Sequence, residues 1–225
     1  TRFKCDWSSD VCSSDLTYCI PEARQIVGKE YTVDEVVREV VKDKVFYDES
    51  GGGVTVSGGE PLVQIDFVEE LMKKLKDEGI RTAVDTCGAV SFDILERAAK
   101  YADLFLYDLK LMDDDKHQKF IGVSNKNIIE NLVKLAKIHD NINLRLPIIE
   151  GVNADVSHIE KILELIEGLN IKKVNLLPYH DIAKHKYKKL DRTYEEEKMS
   201  VPSEEKMNSF KDMFAKRGYE VKIGG

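Results

Sequence analysis

From residue 53 to its end, the chain alternates short apolar or β-branched runs with amphipathic helical runs. That alternation limits the fold more than any other feature. Runs at 53–57, 80–86 (IRTAVDT), 103–109 (DLFLYDL), 142–149 (INLRLPII), 172–178 (KKVNLLP) and 219–223 have the length and residue types of strands. Helical spacing occupies 65–78, 91–100, 125–138, 156–168 and 203–216, between successive strands. Strands joined in this way pair in parallel through right-handed crossovers. An α/β fold follows, and a barrel or partial barrel suits such short strands as well as an open sheet. Upstream, Thr32 and Glu35 form a capping-box pattern, and Val33, Val36, Val37, Val40 and Val41 predict a helix over 33–43. Phe46 and Tyr47 are expected to pack on the sheet.

In parallel folds, ligands gather at the C-terminal ends of strands. The stretch 50–64, SGGGVTVSGGEPLVQ, places unusual material there. Val54, Thr55 and Val56 favour a strand, and Pro61 ends it. Gly58 and Gly59 permit close backbone approach, and Glu60 adds a carboxylate. Neither a Walker A loop nor GxGxxG is present, so a phosphate cradle is not indicated. Backbone carbonyls and a carboxylate suit an ammonium. Other strand ends carry Asp85 and Thr86, Asp108 and Lys110, Arg145, and His180. Together they suit a zwitterionic ligand with a ribose. Lys110 or Arg145 would take a carboxylate, His180 would reach hydroxyls, and Asp85 with Asp108 would share a hard cation. Each also has an ordinary reading. Asp85 could cap a helix, Asp108 and Lys110 could pair, Arg145 could be a buried ion-pair partner, and His180 could be a loop residue. His117, His139, His158 and His185 read as surface or helix residues.

Lysine and arginine total 34 against 41 acidic residues, a formal charge of -7, which argues against nonspecific nucleic-acid binding. No apolar run is long enough for a membrane span. Cysteines at 5, 12, 19 and 87 are too few for a disulfide scaffold, so a reducing cytoplasm is expected. Residues 1–16, TRFKCDWSSDVCSSDL, differ in composition from the rest and resemble a translated sequencing adapter, so they are read as non-native. Cys5, Cys12 and Cys19 stand seven apart and match no tight metal-ligand spacing.

The glycine-rich stretch resembles that of radical S-adenosylmethionine activating enzymes for glycyl radical enzymes, the pyruvate formate-lyase activating class. DTCG at 85–88, YDLK at 107–110, RLPIIEGVN at 145–153 and LLPYHDIAKHKYKKL at 176–190 resemble later motifs of that family, in the same order. The resemblance covers about residues 17–225. It implies a partial (β/α)6 barrel over 31–225, here lacking its first strand and cluster loop. It implies S-adenosylmethionine, a 4Fe–4S cluster in the intact parent, and a monovalent cation as cofactors. Gly58, Gly59 and Glu60 would hold the methionine ammonium. Lys110 and Arg145 would lie near the carboxylate and His180 near the ribose. Asp85, the Thr86 and Leu106 carbonyls and Asp108 would hold the cation. The family cleaves S-adenosylmethionine reductively to a 5′-deoxyadenosyl radical, which takes hydrogen from a glycine of a glycyl radical enzyme. Flavodoxin or ferredoxin would donate the electron, and neither nucleic acid nor membrane is involved.

The departures are equally specific. The cluster motif CxxxCxxC is absent, so no catalytic residue is assigned. Residues 17–30 resemble the exit of a ferredoxin-like insert, with Cys19 as a remaining accessory-cluster ligand. Ala183 replaces a usual glycine. The chain itself is therefore expected to be inactive and its parent active. The alternatives are another radical S-adenosylmethionine enzyme acting on a small molecule or peptide, a non-redox barrel lyase or aldolase using Lys110, and a nonenzymatic binding remnant.

Overall fold

The structure is a computed structural model that describes residues 2–4, 29–180 and 199–224. The expectations for Cys5, Cys12, Cys19, Ala183 and His185 lie outside these residues. Strand β1 (Arg2–Lys4) pairs antiparallel with β2 (Glu30–Thr32), although no strand period shows in residues 1–16. Ladder bonds use backbone groups alone, so a polar composition does not forbid them.

Helix α1 (Val33–Val41) starts at the expected capping box. Thr32 Oγ1 accepts from Glu35 N at 3.3 Å, and Thr32 N donates back to the Glu35 carboxylate at 2.7 Å. A second short helix, α2 (Lys44–Ser50), was not expected there, because its apolar residues Val45, Phe46 and Tyr47 are consecutive and show no helical period. Phe46 is 66% exposed and does not pack on the sheet; Tyr47 is partly buried against the α1 side. Gly51 ends α2 in the left-handed region, φ 65°.

Strands β3 (Gly53–Val56), β4 (Arg81–Thr86), β5 (Leu104–Asp108), β6 (Ile142–Ile148), β7 (Lys173–Pro178) and β8 (Glu220–Ile223) form one sheet in chain order. Every neighbouring pair is parallel. Helices α3 (Ile65–Asp77), α4 (Phe92–Ala99), α6 (Lys126–Leu135), α7 (Val156–Ile166) and α8 (Glu204–Lys216) connect the strands. One helix, α5 (Asp114–Ile121), was missed in sequence. Its residues DDKHQKFI carry almost no apolar period, yet Asp113 caps its start and Gly122, φ 91°, ends it.

Alternation along the strands sorts the two sheet faces. Val84, Phe105, Tyr107, Leu144, Leu146, Val174 and Leu176 are buried beneath the helices with Leu95, Leu132, Ile162 and Phe210. Full burial of such side chains contributes roughly 1.5–3 kcal/mol each. The opposite face presents Asp85, Leu106, Asp108, Asn143, Arg145 and Asn175, all partly exposed. A second, smaller core joins Val33 of α1 to Phe67, Leu71 and Leu75 of α3 and to Ile80. His117 and His158, expected as surface or helix residues, lie on helices α5 and α7 and are buried there. His117 Nδ1 lies 2.7 Å from the Val123 carbonyl. Burial holds His158 neutral, pushing its pKa down to about 4.

Candidate active site at the strand ends

Register brings the expected residues together. Asp85 pairs with Leu106, Leu106 with Asn143, Asp108 with Arg145, and Arg145 with Asn175. These positions share the open face of the sheet. Leu106, Asn143, Arg145 and Asn175 among them line a cleft of about 560 Å³, with Lys173, Glu220 and Lys222 on its β7–β8 side.

Arg145 is the centre of charge. Its Nη1 lies 3.0 Å from Asp85 Oδ2 and its Nε 2.9 Å from Asp108 Oδ1. The second contact is ionic without hydrogen-bond alignment: both buried atoms have close opposite charge but no bonded partner. Lys110 Nζ stands 4.0 Å from Asp108, at the outer edge of an ion pair. Burial pushes the Asp108 carboxyl above its ordinary range. Arg145 and Lys110 pull it back, while the charges of Asp85 and Glu60 push it further up. The two aspartates read as cation ligands in the sequence thus face a guanidinium in this structure. Among the described residues, no group of three or more His, Cys, Asp or Glu side chains is arranged to hold a metal.

The glycine-rich loop lies beside this network. Ser57 Oγ donates to Asp85 Oδ2 at 3.2 Å. Gly58 has φ 153°, and a Cβ on either Gly58 or Gly59 would meet no atom within 4 Å. The backbone edge there is open to a ligand, as a site for an amino-acid ammonium requires. Glu60 points the other way, toward β4. Thr86 Oγ1 donates to its carboxylate at 2.8 and 2.9 Å, and Cys87 N at 3.0 Å. His180 is exposed two residues beyond β7, outside this bonded network.

Buried asparagines, which the sequence reading missed, fix the loops around the rim. Asn153 Nδ2 donates to the Lys110 and Pro147 carbonyls at 2.9 and 2.8 Å, tying the ends of β5 and β6. Asn131 Nδ2 donates to the Gly88 and Val90 carbonyls at 2.9 and 2.7 Å. Asn125 Nδ2 holds the Leu111 and Met112 carbonyls. For Asn131 the available signal was a polar residue in an apolar helical stripe, because a buried amide must find partners; Asn125 and Asn153 lie outside the helices, where no such stripe marks them.

Comparison with known proteins agrees with this geometry. Residues 8–166 match the radical SAM superfamily. The chain is 49% identical over 209 residues to the trans-4-hydroxy-L-proline dehydratase activating enzyme of Clostridioides difficile, covering 92% of this chain and 69% of that protein. It is 32% identical over 214 residues to the pyruvate formate-lyase 2-activating enzyme of Escherichia coli, covering 95% of this chain and 73% of that one. A crystal structure of a domain of pyruvate-formate lyase-activating enzyme from Bacteroides vulgatus superposes with TM-score 0.66 at 35% identity, covering 77% of this chain and 99% of the other. The open parallel sheet with its polar mouth is that of a radical SAM enzyme. The chain belongs to the radical SAM superfamily and, within it, to the activating enzymes that install glycyl radicals.

Members of this family use S-adenosylmethionine and a 4Fe–4S cluster. The rim fits the amino-acid end of the first, through the open Gly58–Gly59 edge and the charged network beside it. It does not fit the second. Cys87 is the free thiol of the described residues, and it lies against Glu60. No step is assigned to a cluster on these residues.

Proposed function

We propose that this barrel holds S-adenosylmethionine for an activating enzyme whose protein substrate is a glycyl radical dehydratase of the hydroxyproline type. The 49% identity over 209 residues to the hydroxyproline dehydratase activating enzyme carries the choice of partner. The ligand's ammonium meets the Gly58–Gly59 edge. Its carboxylate lies toward Lys110 and Arg145, the nearest cations of the rim. His180, exposed two residues beyond β7, is the side chain read as reaching the ribose hydroxyls. Bound there, S-adenosylmethionine supplies a sulfonium whose carbon–sulfur bond breaks on one-electron reduction. The chain's residues orient that bond. A monovalent cation at Asp85 and Asp108 would require Arg145 to leave at least one of them.

The electron donor is a small flavodoxin or ferredoxin, and the compartment is the cytoplasm. Among the described residues, no helix is long and apolar enough to cross a membrane. The net charge of -7 gives nucleic acid no purchase.

The test is binding. The chain is titrated calorimetrically with S-adenosylmethionine and presented to immobilised hydroxyproline dehydratase and pyruvate formate-lyase. Measurable nucleotide binding and a preference for the dehydratase are expected. Equal or reversed preference would remove the partner assignment, and absence of nucleotide binding would remove the rim assignment.

A further inference from the structure

The glycine pair is held from both ends by β4. On one side Ser57 is bonded to Asp85. On the other, the Glu60 carboxylate is bonded to Thr86 and Cys87. A carboxylate offers roughly four acceptor positions. The Leu62 N–H at 3.3 Å, the Thr86 hydroxyl at 2.8 Å, the Cys87 N–H at 3.0 Å and the Cys87 thiol at 3.3 Å supply four donors from the chain itself. The thiol keeps its proton, because burial and the Glu60 charge push its pKa up. Glu60 is therefore spent within the fold.

Thr86 makes the shortest of these bonds, and its hydroxyl is used twice. It donates to Glu60 and accepts from Gly88 N at 2.9 Å. Its side chain is buried, 2% exposed, with no access to a ligand of its own. We propose that Thr86 is a positioning residue: by keeping the Glu60 carboxylate engaged within the fold, it fixes the Gly58–Gly59 edge for the amino-acid end of the ligand. This rests on the reading that the rim holds S-adenosylmethionine.

The experiment compares the full chain with Thr86→Val and Thr86→Ser. Each is titrated with S-adenosylmethionine and with 5′-methylthioadenosine, which keeps the nucleoside and sulfur but lacks the amino-acid end. Valine keeps the shape and loses both hydrogen bonds, while serine keeps both. Thr86→Val is expected to lose about tenfold in affinity for S-adenosylmethionine, the size expected for a bond to a charged group. Its affinity for 5′-methylthioadenosine stays unchanged, and Thr86→Ser matches the parent. The proposal fails if Thr86→Val binds S-adenosylmethionine as the parent does. It also fails if both affinities fall together, which marks a general loss of structure. A parent chain that binds neither compound overturns the rim assignment itself, a result separate from either of these.

Discussion

Arg145 sits between two carboxylates, and Asp108 carries the cost. A carboxyl whose native pKa is raised holds its proton longer folded than unfolded. Between the ordinary value of 3.8 and the higher native value, the folded state binds more protons, so stability falls as pH rises. Asp108→Asn removes that titration. The stability of Asp108→Asn relative to the parent is therefore expected to improve as the pH rises above the ordinary value of 3.8 and to level off once the native carboxyl has ionised, measured by denaturant unfolding at each pH; a flat difference would show that Arg145 fully compensates the burial. Gly88 gives a second test at this scale. It has φ 69°, and a Cβ there would overlap the Tyr107 ring and hydroxyl, which donates to the Ile128 carbonyl at 2.6 Å. Gly122 has φ 91° with open space around it. Gly88→Ala is expected to cost more than about 2 kcal/mol, and Gly122→Ala about 1 kcal/mol. Equal melting shifts for the two would mean that the Tyr107 ring moves aside. Glu60, Asp85, Asp108 and Arg145 were all legible as rim residues, because strand ends can be read from period and punctuation. Their mutual contacts were not. Pairing Arg145 with both aspartates needs the register of three strands, which no local pattern states.

The strands were legible as elements to within a residue or two: β4 to β7 alternate a buried with a more exposed face, and the outer strands β3 and β8 alternate half-buried with exposed positions. The helices that failed to show, α2 and α5, are short; the apolar residues of α2 are consecutive and α5 is mostly polar, so no apolar period announces either. Caps alone marked α5, at Asp113 and Gly122. The longer helices show the reverse: their apolar stripes were plain, and the polar residue inside one stripe was overlooked. Asn131 of α6 is fully buried and supplies both amide hydrogens to carbonyls of the loop after β4. Asn131→Leu would leave the Gly88 carbonyl without its amide partner, at roughly 1–3 kcal/mol, while the Val90 carbonyl keeps Asn127 Nδ2 at 2.8 Å. Faster amide exchange across residues 86–91 is expected in that variant, with α8 unchanged; protection as in the parent would show that water replaces the amide. At the other end of the sheet, Leu75 is fully buried in the small core between α1 and α3. Leu75→Ala is expected to cost about 2–4 kcal/mol and to release α1 before the main core.

Across the whole molecule, two kinds of information separate. The parallel order of six strands and the polar mouth come from residues spread over the chain, and these the family relationship supports. A radical-generating cluster depends instead on three closely spaced thiolates, a purely local feature. In this sequence the cysteines stand at 5, 12, 19 and 87, and CxxxCxxC does not occur. A barrel can keep its nucleotide rim intact without that loop, since the rim is built by strand ends and buried asparagines that do not involve it. Binding and chemistry should therefore come apart. Anaerobic reconstitution of this sequence with iron and sulfide, followed by dithionite and S-adenosylmethionine, is expected to yield no 5′-deoxyadenosine by chromatography and no glycyl radical signal on an added dehydratase. The same preparation should still bind the nucleotide in calorimetry. Stoichiometric 5′-deoxyadenosine would show that thiolates seven residues apart can be gathered around iron, and would return the reaction itself to this chain.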